Sequence, residues 1–223
     1  MRVLIVNTSE KTGGAAVAAN RLMESLNNNG VKAKMLVRDK ATENITIASL
    51  PHSPLLQWHF LWERWRAFWH LHFSSVHLWE IDLACAGSDI TKLREFKEAD
   101  VIHLSWINQG MLSLKSIRKI IKSGKPIVWT MHDIWPATGI CHYARGCNRY
   151  ASACGNCPLL PHKGSKHDIS NKVFRRKKEL YQHSNIYFVT CSKWLERQAK
   201  KRALFTGLHL TNIPNPIDTR VFY

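Results

Sequence analysis

Short apolar runs alternate along this chain with segments whose apolar residues recur every three or four positions. Residues 2–6, 31–38, 100–106, 127–131, 185–190 and 208–213 read as strands. Several of these runs are continuous rather than alternating, as expected of strands buried on both faces of a parallel sheet. Between them, residues 15–26 read as a helix with Ala19, Leu22, Met23 and Leu26 on one stripe, stopped by Gly30. Residues 111–122 place Leu114, Ile117, Ile120 and Ile121 on one side, with Gly124 as the stop. Further helices are predicted over 54–73, over 89–97 behind a Ser88 cap, over 168–182 and over 193–203. Strand, glycine loop, helix and strand make a βαβ unit, whose crossover implies parallel pairing. Repeated along the chain, the pattern predicts one doubly wound α/β domain with a mostly parallel sheet.

Two of the strands end in polar side chains. His103 and Ser105 lie near the end of one, with Asn108 just past it, and His132-Asp133 closes the run led in by Pro126. The C-terminal edge of an open α/β sheet is where ligands bind. An imidazole there can hydrogen-bond a hydroxyl or shift a proton near neutral pH, which makes His132 the candidate for chemistry. A histidine satisfied by local backbone fits the position equally well. Gly13-Gly14, after the first strand, lets backbone N–H groups approach an anion, or simply makes a tight turn. The G-x4-G-K-[ST] phosphate loop, the G-x-G-x-x-G dinucleotide fingerprint and a convincing G-x-S-x-G nucleophile elbow are all missing.

Two stretches stand out chemically. Trp58, Trp62, Trp65 and Trp69 are spaced 4, 3 and 4 apart and so share one helical face. Tryptophans and basic residues on such a helix suit a membrane interface, although an aromatic stripe at this spacing is more often core. Cys141, Cys147, Cys154 and Cys157 follow the polar edge of the 127–131 strand directly, spaced C-x5-C-x6-C-x2-C. Four thiolates could hold a structural zinc ion that orders an otherwise featureless loop, with His142 able to replace one of them. Free structural thiols and an iron–sulfur or redox role are the alternatives. Cys85 and Cys191, far off in sequence, read as buried small hydrophobes.

Charge narrows the partners. The 32 Lys and Arg residues against 16 Asp and Glu give a net charge of +16, which favours nucleic acid, anionic headgroups or phosphorylated substrates. The N-terminus does not resemble a secretion signal, and no apolar stretch approaches the roughly 18 residues that span a bilayer. A cytoplasmic protein is expected, with peripheral attachment at the inner face of the membrane as a further expectation. In that compartment the cysteines are thiols or metal ligands rather than disulfides.

The chain resembles the N-terminal, acceptor-side domain of a family 4, GT-B-type glycosyltransferase. The resemblance rests on Thr12-Gly13-Gly14-Ala15, on Thr130-Met131-His132-Asp133-Ile134-Trp135, on Val189-Thr190-Cys191-Ser192-Lys193, and on Ile213-Pro214-Asn215-Pro216-Ile217-Asp218 with Phe222. Thr138-Gly139 through Cys154-Gly155-Asn156-Cys157-Pro158 resembles a cysteine-rich subgroup of bacterial surface-polysaccharide enzymes. The resemblance implies a Rossmann-like domain over 1–213, a cysteine-rich insertion over 139–160 and the start of an interdomain linker over 214–223. A C-terminal donor domain with an E-x7-E pair is then expected but absent from the sequence, so this chain alone should not turn over.

By position, the resemblance makes His132 the residue that contacts the transferred sugar. Gly13, Gly14, Asp133, Ser192 and Asn215 become substrate- or donor-binding positions. It also implies a nucleotide-sugar donor, a saccharide or lipid-linked acceptor, retention of configuration and no catalytic metal, any zinc being structural. The competing classes are a zinc-containing basic nucleic-acid-binding protein, using the 172–178 and 193–202 helices, and a non-catalytic sugar- or lipid-binding module.

Overall fold

The computed structural model describes residues 1–217 of the 223. Asp218 and Phe222 of the C-terminal motif lie outside the described residues. Seven parallel strands form one sheet: β1 (Arg2–Ser9), β2 (Lys32–Asp39), β3 (Ile47–Ser49), β4 (Val101–Leu104), β5 (Ile127–Met131), β6 (Ile186–Thr190) and β7 (His209–Asn212). Their spatial order is β3-β2-β1-β4-β5-β6-β7, and all six pairings are parallel. This is the doubly wound, Rossmann-like α/β architecture expected. The chain starts at β1, builds outward through β2 and β3, then returns to the other side of β1 at β4. The direction therefore reverses between β1 and β4, the switch point where such sheets open a crevice for ligands.

The helices are α1 (Gly14–Asn28), α2 (Pro54–His70), α3 (Arg94–Glu98), α4 (Leu114–Lys122), α5 (Ile169–Gln182) and α6 (Lys193–Lys200). Alternate residues of β1 feed two cores. Val3 and Ile5 pack with Ala19 and Met23 of α1, whereas Leu4 and Val6 join Ile117, Ile120, Trp129, Phe174 and Phe188. Burial on both faces explains the continuous apolar runs. A third cluster, around Ala67, Leu71, Ile81, Leu83, Ile140 and Leu160, joins α2 to the cysteine-bearing segment.

Three local readings change. The short edge strand β3 was not expected. The helix predicted over 89–97 is two pieces, a 3-10 turn over Ile90–Lys92 and then α3, because Leu93 between them is extended. Its cap is Asp89, whose carboxylate accepts from Thr91 N, rather than Ser88. The predicted helix start near residue 111 moves to Leu114, where the Ser113 hydroxyl accepts from Ser116 N.

Candidate active site

The crevice at the switch point is built from strand ends that hold one another. Asn7, at the end of β1, accepts from Trp106 N through Oδ1 at 2.9 Å. The Thr8 hydroxyl donates to Trp106 O and Asn108 O, each at 3.0 Å. These bonds fix the turn after β4 against β1, as buried backbone groups without a sheet partner require.

Across the next strand pair, side chains of β4 and β5 form two rungs. Ser105 Oγ and His132 Nε2 are hydrogen-bonded at 2.9 Å, and His103 Nε2 and Thr130 Oγ1 at 2.8 Å. Burial lowers the His132 pKa, only partly offset by the Asp133 charge, so its imidazole is neutral near pH 7. Burial and the neighbouring His132 push His103 further, down to about 4. A neutral imidazole at the mouth of the crevice can accept or donate a hydrogen bond to a hydroxyl without bringing a charge.

Asp133 faces a different way. Its Oδ2 accepts from Trp106 Nε1 at 3.0 Å and pairs with His142 Nδ1 at 2.8 Å, while Oδ1 accepts from Trp135 N. These donors keep the carboxyl below its usual range against the opposing effect of burial. The His142 ring lies 5.7 Å from Trp106 and 6.5 Å from Trp135, centroid to centroid. His142 therefore serves Asp133 instead of standing in for a thiolate. Asp133, Trp106 and His142 together brace the turn that carries His132.

From beneath, α5 holds the same turn. Lys177 is completely buried, and its Nζ donates to Trp135 O at 2.7 Å and Thr138 O at 3.1 Å above the Trp135 ring. Burial drives this amine down to about 7. Lys177 is thus removed from the basic face that residues 172–178 were expected to offer.

A cavity of about 260 Å³ opens on the α1 side of the sheet, where α1 leaves β4 and β5 uncovered. His103, Ser105, Thr130 and His132 line it together with Pro214, Asn215 and Pro216. The structure therefore brings His132 and Asn215 to one cavity although 83 positions separate them (215 − 132). Gly13 and Gly14 stand at the same sheet edge, after β1. Gly13 has φ +87°, which favours glycine, and a Cβ on either residue would meet nothing within 4 Å. No side chain caps the α1 N-terminus they open. Ser192 caps α6, its hydroxyl accepting from Leu195 N at 3.2 Å.

The four clustered cysteines line one small cavity of about 20 Å³ with Tyr150. Gly139 N donates to Cys154 Sγ at 3.2 Å, and Gly155 and Asn156, inside the C-x2-C turn, both have positive φ. Among the described residues, no group of three or more His, Cys, Asp or Glu side chains is arranged to hold a metal ion as it stands. Cys85 and Cys191 are not buried. Cys85 is exposed, its Sγ 3.0 Å from Glu63 Oε2, and Cys191 is half-buried beside Ser192.

The tryptophans do not belong to the core of this domain. Trp58, Trp62, Trp65 and Trp69 are 58%, 39%, 48% and 55% exposed. The inward face of α2 carries charges that sequence reasoning missed. Glu63 accepts from Leu83 N, Cys85 N and Ala86 N, and Arg64 donates to Leu78 O, Ile81 O and the Asp82 carboxylate. Asp82 in turn accepts from Gln109 N, and its backbone carbonyl from Trp135 Nε1 at 2.9 Å. The network links α2 to both turns of the crevice.

An alignment 89 positions long, which covers 37% of this chain, is 32% identical to WcaC of Escherichia coli (strain K12), which carries the name of a colanic acid biosynthesis glycosyl transferase; the match spans 22% of that protein. Solved structures of an alpha-glucosyltransferase, one in complex with UDP and a 13-mer DNA and one with UDP, superpose with TM-scores of 0.44 and 0.40 at 9% identity. They cover 98% and 100% of this chain, which corresponds to 43% and 47% of theirs. The chain thus spans less than half the length of the proteins it matches. The family model for Glycosyltransferase Family 4 matches residues 12–221, nearly the whole sequence, and the chain belongs to that family.

Proposed function

We propose that this chain is the acceptor-binding half of a retaining glycosyltransferase, which moves a sugar from a nucleotide-sugar to a growing surface polysaccharide or a lipid-linked oligosaccharide. The observation that carries the reading is the His132–Ser105 pair across the ends of β4 and β5, beside the sheet's switch point, sharing a cavity with Asn215 in a chain of this family. His132 is the residue assigned to contact the transferred sugar. Its half-buried, neutral imidazole can bond a sugar hydroxyl as positive charge develops at the anomeric carbon, without adding a repelling cation. Gly13 and Gly14, with open space above them and an uncapped helix behind, suit the donor phosphates. Asp133 acts by positioning His132, Asn215 lines the same cavity, and Ser192, at the start of α6, is assigned to substrate or donor by the family resemblance alone.

The nucleotide-sugar is held mainly by a second domain beyond these residues, in keeping with the share of the matched proteins that the chain spans. The reading is tested with the longer protein, by following nucleoside diphosphate release from nucleotide-sugars and assigning the product's anomeric configuration by NMR. An α-linked product from an α-configured donor is expected. An inverted product contradicts retention, and no transfer to any saccharide or lipid-linked acceptor contradicts the whole reading.

We also propose that Cys141, Cys147, Cys154 and Cys157 hold a structural zinc ion, remote from the chemistry. Support comes from their convergence on one cavity and from the N–H donated to Cys154. The buried Lys177 amine, on which Cys141 and Cys154 act, would offset part of the charge of four thiolates. The thiols would have to draw closer than they now stand. About one zinc per chain by elemental analysis is expected, with a lower melting temperature after chelation. A metal-free protein that melts at the same temperature with and without added zinc rules this out.

A further inference from the structure

Helix α2 is inverted relative to an ordinary surface helix. Its single carboxylate, Glu63, and its neighbour Arg64 point inward, while Leu55, Trp58, Leu61, Trp62, Trp65 and Trp69 point outward. The aromatic surface continues past the helix end. Trp65, Trp69 and Phe73 contact one another at centroid distances of 5.4 to 6.4 Å, and Phe73 is itself 54% exposed. Monomeric proteins rarely present a contiguous apolar face of this kind without a partner for it.

Charge selects the partner. The C-terminal end of α2 is bordered by cations. Arg66 and Lys172 both act on His70, and His72 lies 6.2 Å from the ring of His162, which is followed by Lys163. Among the described residues Arg66, Lys163 and Lys172 make no ion pair. Asp168, the carboxylate acting on this corner, is occupied in capping α5, where it accepts from Cys157 N, Ser170 Oγ and Asn171 N. Outward tryptophans bordered by unpaired cations complement a surface that is apolar beneath and anionic on top.

We infer that the outward face of α2, continued by Phe73 and flanked by Arg66, Lys163 and Lys172, docks the protein flat on an anionic lipid bilayer. Tryptophans settle at the headgroup level, where the ring is buried and the indole N–H stays hydrated. Cations beside them meet the phosphates. No helix among the described residues is long and apolar enough to cross a membrane, so this contact is interfacial. It also sets the crevice close to the lipid. A Cβ on Gly110, in the turn after β4, would lie 2.8 Å from the His59 backbone of α2, so helix and site edge are in direct contact. The inference rests on α2 itself and stands whether or not the proposed transfer is correct.

The test is co-sedimentation of the 223-residue chain with vesicles of phosphatidylcholine alone or with about 30 mol % phosphatidylglycerol. Tryptophan emission is recorded alongside. Binding to the anionic vesicles with a blue shift is expected. Trp62→Ser/Trp65→Ser should weaken it about tenfold or more with the melting temperature kept. Arg66→Gln/Lys172→Gln should weaken it by about fivefold per cation, with the loss confined to the anionic vesicles. Three results overturn the inference: no binding to anionic vesicles, undiminished binding of the tryptophan variant, or a dimer by light scattering that the tryptophan variant abolishes while vesicles are ignored. The last would assign the face to a second copy of the chain. None of these readouts involves sugar transfer, so failure here leaves the transferase reading intact.

Discussion

Helices α2 and α4 are both amphipathic by spacing, yet they sit the opposite way round. In α4, Ile117 and Ile120 are buried while Lys115, Arg118, Lys119 and Lys122 face solvent. In α2, Glu63 and Arg64 are buried while the tryptophans face out. The difference comes from what lies underneath. Helix α4 packs against sheet strands, whose backbone groups are already paired and which offer only side chains. Helix α2 packs against the irregular segment from Leu78 to Ala86, which joins Cys141 through a single bridge at Ile81 and leaves the Leu83, Cys85 and Ala86 N–H and the Leu78 and Ile81 C=O groups without a sheet partner. Glu63 and Arg64 satisfy them. Leaving buried backbone groups unpaired costs more than exposing aromatic rings, and this decides the orientation.

The comparison can be broken by substitution. The largest effect is expected for Glu63→Ala, which strands the three buried backbone donors of Leu83, Cys85 and Ala86. A loss of about 3–5 kcal/mol in unfolding free energy is expected by denaturant titration. A loss below ~1 kcal/mol would mean that the buried charges do not set the orientation. Next, Ile117→Ala in α4 should cost about 2–4 kcal/mol, whereas Trp65→Ala in α2 should cost less than ~1 kcal/mol despite deleting a larger side chain. Equal losses would place Trp65 in a packed core and undo the comparison.

A smaller effect concerns pH at the sheet edge. The folded-state pKa of His103 is depressed to about 4, below that of an unfolded histidine. The unfolded chain therefore binds the extra proton first, and stability falls as pH drops from about 6.5 towards 4, by up to ~1.4 kcal/mol per pH unit. Removing the imidazole, as in His103→Leu, should flatten the melting temperature over that window. An unaltered slope would remove His103 as its source. Smallest of all, Gly13→Ala should cost about 1 kcal/mol, from the positive φ alone, since space above it is open.

Much of the architecture was legible because parallel strands buried on both sides announce themselves as continuous apolar runs. The strand β3 was not, since a run of three residues, Ile47 to Ser49, is too short to carry a period. The break at Leu93 was equally silent, because an extended leucine looks like any helical one. His132-Asp133 was readable as the polar end of an apolar run. Its partners were not. Trp106 and His142 reach Asp133 from other segments, and only the fold brings them together. The spacing of the tryptophans showed that they share a face, but no periodicity says which face turns inward. The signal that was available, a lone Glu-Arg pair inside a tryptophan-rich helix, reads as a solvated edge until the Leu78–Ala86 segment is seen beneath it.

The most direct test of the account is the turnover of His132→Ala in a protein that also carries the proposed donor-binding domain, measured with saturating nucleotide-sugar and beside its melting temperature. Loss of about 100-fold or more in kcat with a nearly unchanged melting temperature is the expected result, because the proposed role has the ring contact the transferred sugar while other segments brace its turn. Unchanged turnover would contradict the assignment of the crevice as the site of transfer.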